Sequence, residues 1–129
     1  MNASAGDGPA ARRPPGALED AVLTVLWSGD EPMTPAEVQR GLSHPLAYTT
    51  VMSTLSRLHR KGLVTRSSRG RGYAYTAAVE EADHTALAMT ELLRRRHDRA
   101  AVLSRFVSSL SAEDEAFLQR LLRGDTPLL

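Results

Sequence analysis

The run Thr34-Pro35-Ala36-Glu37 constrains the fold more than any other feature of this 129-residue chain. A threonine able to cap, a proline at the first helical position and a glutamate three residues after the cap together mark a helix start. The helix must be short, because Gly41-Leu42 and the His44-Pro45 turn follow at once. Upstream, Leu18, Ala21, Val22, Val25 and Leu26 recur at i, i+3, i+4, i+7 and i+8. That spacing predicts a first helix over about Ala17 to Ser28, with Trp27 near its end and Gly29-Asp30 closing it. Downstream, Leu46-Ala47-Tyr48 reads as extended, and a third helix is predicted from about Thr49 to Lys61, stopped by Gly62. Two β-prone runs, Leu63–Ser67 and Tyr73–Ala77, then flank the glycine-rich turn Ser68-Arg69-Gly70-Arg71-Gly72.

Helix, short helix, turn, helix and hairpin in this order describe a winged helix-turn-helix. The remainder reads as helical: about Glu80–His97, about Arg99–Ser109, and a last helix capped by Ser111 and ending before Gly124. The expected fold is therefore mainly α with a small β-hairpin wing, a winged helix-turn-helix plus a C-terminal helical dimerisation arm. Residues 1–15, rich in Ala, Gly and Pro, read as a disordered tail, 16–78 as the winged-helix domain and 79–129 as the helical region.

Charge is distributed unevenly along this frame. The net charge is only +1, but residues 34–76 carry seven bases against Glu37 alone, a segment charge of +6 between mildly acidic ends. A local polyanion-binding surface is one reading of that excess, and a solvated charged face is the other. The third helix separates them. Val51, Leu55 and Leu58 fall at i, i+4 and i+7 and face the core, and the face expected outward is Thr50, Ser53, Thr54, Arg57 and Lys61. Hydroxyls and bases without acids suit close approach to base edges and phosphates. Thr49, Thr50, Ser53 and Thr54 are thus expected in a major groove, and Arg57 and Lys61 on phosphates or the groove edge. Arg69 and Arg71 at the hairpin tip suit a minor groove or the phosphate backbone. Tyr48 fits either a phosphate hydrogen bond or packing against the hairpin, and Tyr73 and Tyr75 read as structural.

The helical region is too apolar to stand exposed. Leu92, Leu103, Phe106, Val107, Leu110, Phe117, Leu118 and Leu121 are the side chains expected to pair two copies. Each is worth about 1.5–3 kcal/mol when fully buried. A symmetric dimer covers them and presents two reading helices to successive half-sites. The alternative is that these helices fold back on their own winged domain.

Other function classes find little support. Cysteine is absent, which removes disulfides, thiolate metal sites and cysteine nucleophiles, and fits a cytoplasmic chain. No apolar run is long enough to span a membrane, and no secretion signal is visible. There is no glycine-rich phosphate loop after a strand and no nucleophile elbow, so no enzyme and no cofactor is expected. His44, His59, His84 and His97 are dispersed, and no metal site is expected. The rival reading is a ligand- or metal-responsive winged-helix sensor whose arm histidines, His84 and His97, bind an effector.

Three stretches carry a family resemblance: Leu18–Trp27 (LEDAVLTVLW), Ala47–Arg66 (AYTTVMSTLSRLHRKGLVTR) and the hairpin end Gly72-Tyr73-Ala74-Tyr75. They resemble the penicillinase repressors, the BlaI/MecI group with its copper-responsive CopY branch, from about Gly16 to Gly124. The resemblance implies a homodimeric repressor on a palindromic, double-stranded operator of TACA/TGTA type, often controlling β-lactam-response genes. It also implies induction by a membrane-sensor-linked protease that cuts an Asn-Phe bond in the arm. The position that looks equivalent here is Arg105-Phe106, with arginine in place of asparagine. The copper branch uses paired C-terminal cysteines, and this chain has none.

Overall fold

Helix α1 (Ala17–Ser28) starts from Gly16, held at φ 85°, and places Glu19 and Asp20 in its first turn, where the exposed backbone N–H groups favour acids. It buries Val22, Leu23, Val25 and Leu26, so Leu23 joins the expected stripe while Leu18 and Ala21 stay half-buried. The computed structural model describes residues 16–125; the tail expected over 1–15 lies outside them.

Helix α2 (Pro35–Gly41) opens with the expected reciprocal cap. The Glu37 N–H donates to Thr34 Oγ1 at 3.3 Å, and the Thr34 N–H donates to Glu37 Oε1 at 2.8 Å. Its last residue must be small, since a Cβ at Gly41 would stand 2.8 Å from Val25 Cγ1. That close approach lets α2 cross α1 and seat Val38 in the core. Gln39 Nε2 then donates to the Leu46 carbonyl at 2.9 Å, tying down the turn before α3 (Tyr48–Arg60). Val51, Leu55 and Leu58 of α3 are fully buried against α1 and α2. Gly62, at φ 78°, ends the helix in the left-handed region that side chains avoid.

Strands β1 (Val64–Arg69) and β2 (Gly72–Ala77) pair antiparallel from Val64↔Ala77 to Arg69↔Gly72. The strands run further than the sequence suggests. Ser68 and Arg69 join the ladder, and Gly70 at φ 61° leaves a tight turn of Gly70 and Arg71. Met33, between α1 and α2, adds a bridge to Tyr75, with hydrogen bonds of 2.9 and 2.8 Å in the two directions. Trp27 Nε1 donates to the Val79 carbonyl at 2.9 Å, and the indole lies 5.8 Å from the His84 ring.

Three helices follow: α4 (Glu81–Arg94), α5 (Arg99–Ser108) and α6 (Ala112–Arg123). Helix α4 stops before His97 because Asp98 is needed as a cap, its Oδ1 accepting from the Ala101 N–H at 3.0 Å. Ser111 caps α6 the same way, and Gly124 ends it at φ 77°. None of these three helices buries a residue. The chain divides into two compact units, Met1–His84 and Thr85–Leu129, with the division inside α4. The fold is mainly helical with one antiparallel hairpin, as expected. Among the described residues, no helix is long and apolar enough to cross a membrane.

Candidate nucleic-acid interface

The surface that α3 turns to solvent follows from its three fully buried residues. At about 100° per residue, the direction opposite Val51, Leu55 and Leu58 is occupied by Thr49, Ser53, Ser56 and Arg60. Thr49, Ser53 and Arg60 are exposed and Ser56 half-buried, with no acid among them. Tyr48 and Met52 flank this face on the hairpin side.

Thr54 is not part of it. The sequence reading places Thr54 in the groove, but its side chain is fully buried. Its position is only about 70° around the helix from the centre of the apolar trio. The hydroxyl is satisfied locally, donating to the Thr50 carbonyl at 2.7 Å and accepting from Arg57 Nη2 at 3.4 Å. A threonine can be buried this way because the carbonyl four residues back is within reach. Thr54 therefore supports Arg57 from inside. The residues of this surface that sequence reasoning missed are Ser56, Arg60 and Met52. The signal for Ser56 and Arg60 was available in the direction opposite the core trio, whereas Met52, about 90° from it, carried none.

Thr50, Arg57 and Lys61 lie on the flank nearer α1, where an acid awaits them. Lys61 Nζ donates to both carboxylate oxygens of Glu19 at 2.9 Å, and Arg57 Nε lies 3.4 Å from Oε2. Burial pushes the Glu19 carboxyl up, but the hydrogen bonds and charges of Lys61 and then Arg57 outweigh it and hold the group below its ordinary 4.5. The α3 side chains are thus acid-free, yet two of the cations are gathered by a carboxylate from a neighbouring helix.

The hairpin supplies the second edge of the site. Arg69 and Arg71 are exposed at its tip, with Arg69 Nη1 at 4.0 Å from Glu37 Oε1. The Thr34 backbone N–H, more than any other group, holds the Glu37 carboxyl below its ordinary range. Arg66 stacks its guanidinium 4.1 Å from the Tyr73 ring centroid. Between hairpin and α3 lies a cleft of about 380 Å³, lined by Thr34, Tyr48, Met52, Arg69, Arg71 and Tyr73, among others. Tyr48 faces this cleft and is half exposed; Tyr75 is buried and structural.

The penicillinase repressor profile matches residues 15–124. The chain belongs to the penicillinase repressor family. Relatives named Transcriptional regulator BlaI, from two strains of Mycobacterium tuberculosis, are each 38% identical over 112 residues, covering 83% of this chain and 81% of theirs. A MarR family protein from Bacillus stearothermophilus of known structure is 21% identical, with a TM-score of 0.45 over 94% of this chain and 79% of that one. The family is one of transcriptional regulators, and this member is a regulator rather than an enzyme.

For a penicillinase repressor family member, the helical region is the other functional candidate. Leu92, Leu103, Phe106, Val107 and Phe117 are between 41% and 50% exposed in the single chain. Leu110, Leu118 and Leu121 are half-buried. Met89, Leu92, Leu93, Val102, Leu103 and Phe106 line an open apolar groove of about 700 Å³ between α4 and α5. Arg105 and Phe106 both lie inside α5, with Arg105 Nη1 donating to the Ala101 carbonyl at 3.3 Å. Of the arm histidines, His84 has its Nε2 3.6 Å from Asp20 Oδ1 and its ring beside Trp27. Among the described residues, no group of three or more His, Asp or Glu is placed to hold a metal ion.

Proposed function

We propose that two copies of the chain pair through α4–α6 and set two α3 helices on the half-sites of one palindromic operator, repressing the genes beside it. The observation that carries this reading is the exposed, acid-free face of Thr49, Ser53, Ser56 and Arg60 beside the wing arginines Arg69 and Arg71. Hydroxyls at the N-terminal end of such a helix read base edges, while Arg60 and the wing arginines meet phosphates. The family name points to penicillinase-type, β-lactam-response genes as targets, and an operator of TACA/TGTA type is what the family resemblance implies. The exposed leucines and phenylalanines of the arm are the surface that a second copy covers. Induction by a protease acting at Arg105-Phe106 requires α5 to open locally first, since both residues lie within the helix.

The test is selection of duplexes from genomic fragments with the purified protein, followed by titration across salt concentrations. The expected result is a palindromic site whose affinity falls with slope about −0.9 per phosphate contacted. Sedimentation is expected to report a dimer. A chain that retains no duplex, or retains all duplexes equally, refutes the reading.

A further inference from the structure

Met52 is out of character with its surroundings. It is 40% exposed, yet it stands among Thr49, Ser53 and Ser56 at i, i+3, i+4 and i+7 on a face otherwise built from hydroxyls and a cation. The apolar core is complete without it, since Val51, Leu55 and Leu58 already carry the contact with α1 and α2. Tyr75 is buried by the core cluster, so the hairpin does not depend on Met52 either. The thioether borders the cleft between α3 and the wing, where Tyr48, Tyr73 and the exposed Arg69 and Arg71 surround it.

We infer that Met52 is a specificity-determining residue that selects thymine at one position of each half-site by packing against the thymine 5-methyl group. The inference rests on the reading of α3 as the groove-entering helix. In the major groove the nitrogen and oxygen atoms of the base edges are hydrogen-bond donors or acceptors, which a methionine would leave unpaired. The 5-methyl of thymine is the one apolar group that protrudes there, and an unbranched, polarizable side chain can settle on it without demanding one rotamer. Thr49 and Ser53, beside Met52 on the same face, supply the polar contacts to neighbouring bases.

The experiment uses the full chain and the duplex it selects, with each thymine replaced in turn by uracil, which removes only the 5-methyl. At the position facing Met52, uracil is expected to weaken binding about fourfold per half-site, the worth of one buried methyl-sized group. Met52→Leu, which keeps an apolar tip, is expected to retain that discrimination. Met52→Ala is expected to bind the thymine and uracil duplexes equally, with an unchanged melting temperature because the side chain lies outside the core. Equal binding of all uracil duplexes by the parent chain overturns the inference, as does a full uracil penalty that survives in Met52→Ala. Failure to select any duplex is a different result. It removes the DNA reading itself, and the role of Met52 falls with it.

Discussion

Replacing Glu19 by glutamine separates the ion pairs this carboxylate makes from the effect those pairs have on the proposed DNA contacts of Arg57 and Lys61. The side chain is 14% exposed and takes two 2.9 Å contacts from Lys61 and one of 3.4 Å from Arg57. Fully buried pairs that lose one partner cost several kcal/mol, but Arg57 and Lys61 are 39% and 55% exposed, so solvent screens most of that. The expected loss for Glu19→Gln is about 1 kcal/mol, or roughly 4–8 °C in melting temperature for a domain of this size. The pH dependence fixes the cause. A carboxyl held below its ordinary 4.5 stabilises the fold above that value, and the contribution is lost as pH falls through the folded-state value. The gap in melting temperature between parent and variant is therefore expected to be largest near neutrality and to close below pH 4.5. In duplex titrations the same variant releases two cations. The salt slope is expected to steepen by about one to two, and affinity for unrelated DNA to rise more than affinity for the operator. A melting gap that persists unchanged in acid would show that Glu19 acts through packing rather than charge. An unchanged salt slope would show that Arg57 and Lys61 do not reach phosphates even when released.

The rotation of α3 makes a sharper comparison. Thr54→Val is expected to leave operator affinity unchanged in gel-shift titrations, whereas Ser53→Ala shifts discrimination among operators by about 1–3 kcal/mol and Arg60→Ala weakens binding to all sequences; the reverse pattern would restore Thr54 to the groove. Leu23→Ala, at a fully buried site, is expected to cost about 2–5 kcal/mol in denaturant unfolding, and a loss below 1 kcal/mol would mean the core can collapse around it. Phe106→Asp is expected to give monomers in sedimentation and to abolish tight operator binding, and a fully active dimer would move the pairing surface elsewhere on the arm.

Legibility in the sequence tracks the range of the interaction. Thr34, Asp98 and Ser111 cap their helices with bonds to residues three positions away, and Gly62 needs only its own backbone freedom. Such elements can be read from a few adjacent letters, and α1, α2 and α3 lie within a residue of where those letters put them. The hairpin turn was read too long because Ser68 and Arg69 are polar and glycine-flanked, while cross-strand pairing with Tyr73 and Gly72 is invisible locally. The site suffered most. The spacing Thr50, Ser53, Thr54, Arg57, Lys61 does define one stripe, but that stripe is centred toward α1 rather than opposite the core. Thr54, about 70° from the centre of the apolar trio, falls inside. Glu19 stands 38 and 42 residues from its two partners, so no local pattern announces that it balances them.

The arm presents the opposite case, in which local structure is well specified and tertiary structure is missing. Its caps at Asp98, Ser111 and Gly124 are all in place, α4 and α6 carry acids in their first turns, and all three helices carry arginine in their last turns. Yet segments of this length, alone in water, are marginal helices, because one hydrogen bond per residue barely offsets the ordering of the chain. Helices α4 to α6 bury no residue, and their large apolar side chains remain roughly half exposed. In the winged unit the same kinds of side chain are covered and the helices need no further support. The arm caps α5 and α6 with local side chains while its large apolar side chains stay partly open in the single chain, which is the deficit the proposed pairing addresses. In the proposed dimer, pairing with an identical surface would close that deficit without any further sequence, and it would tie the stability of the arm to the same association that brings two α3 helices to one duplex.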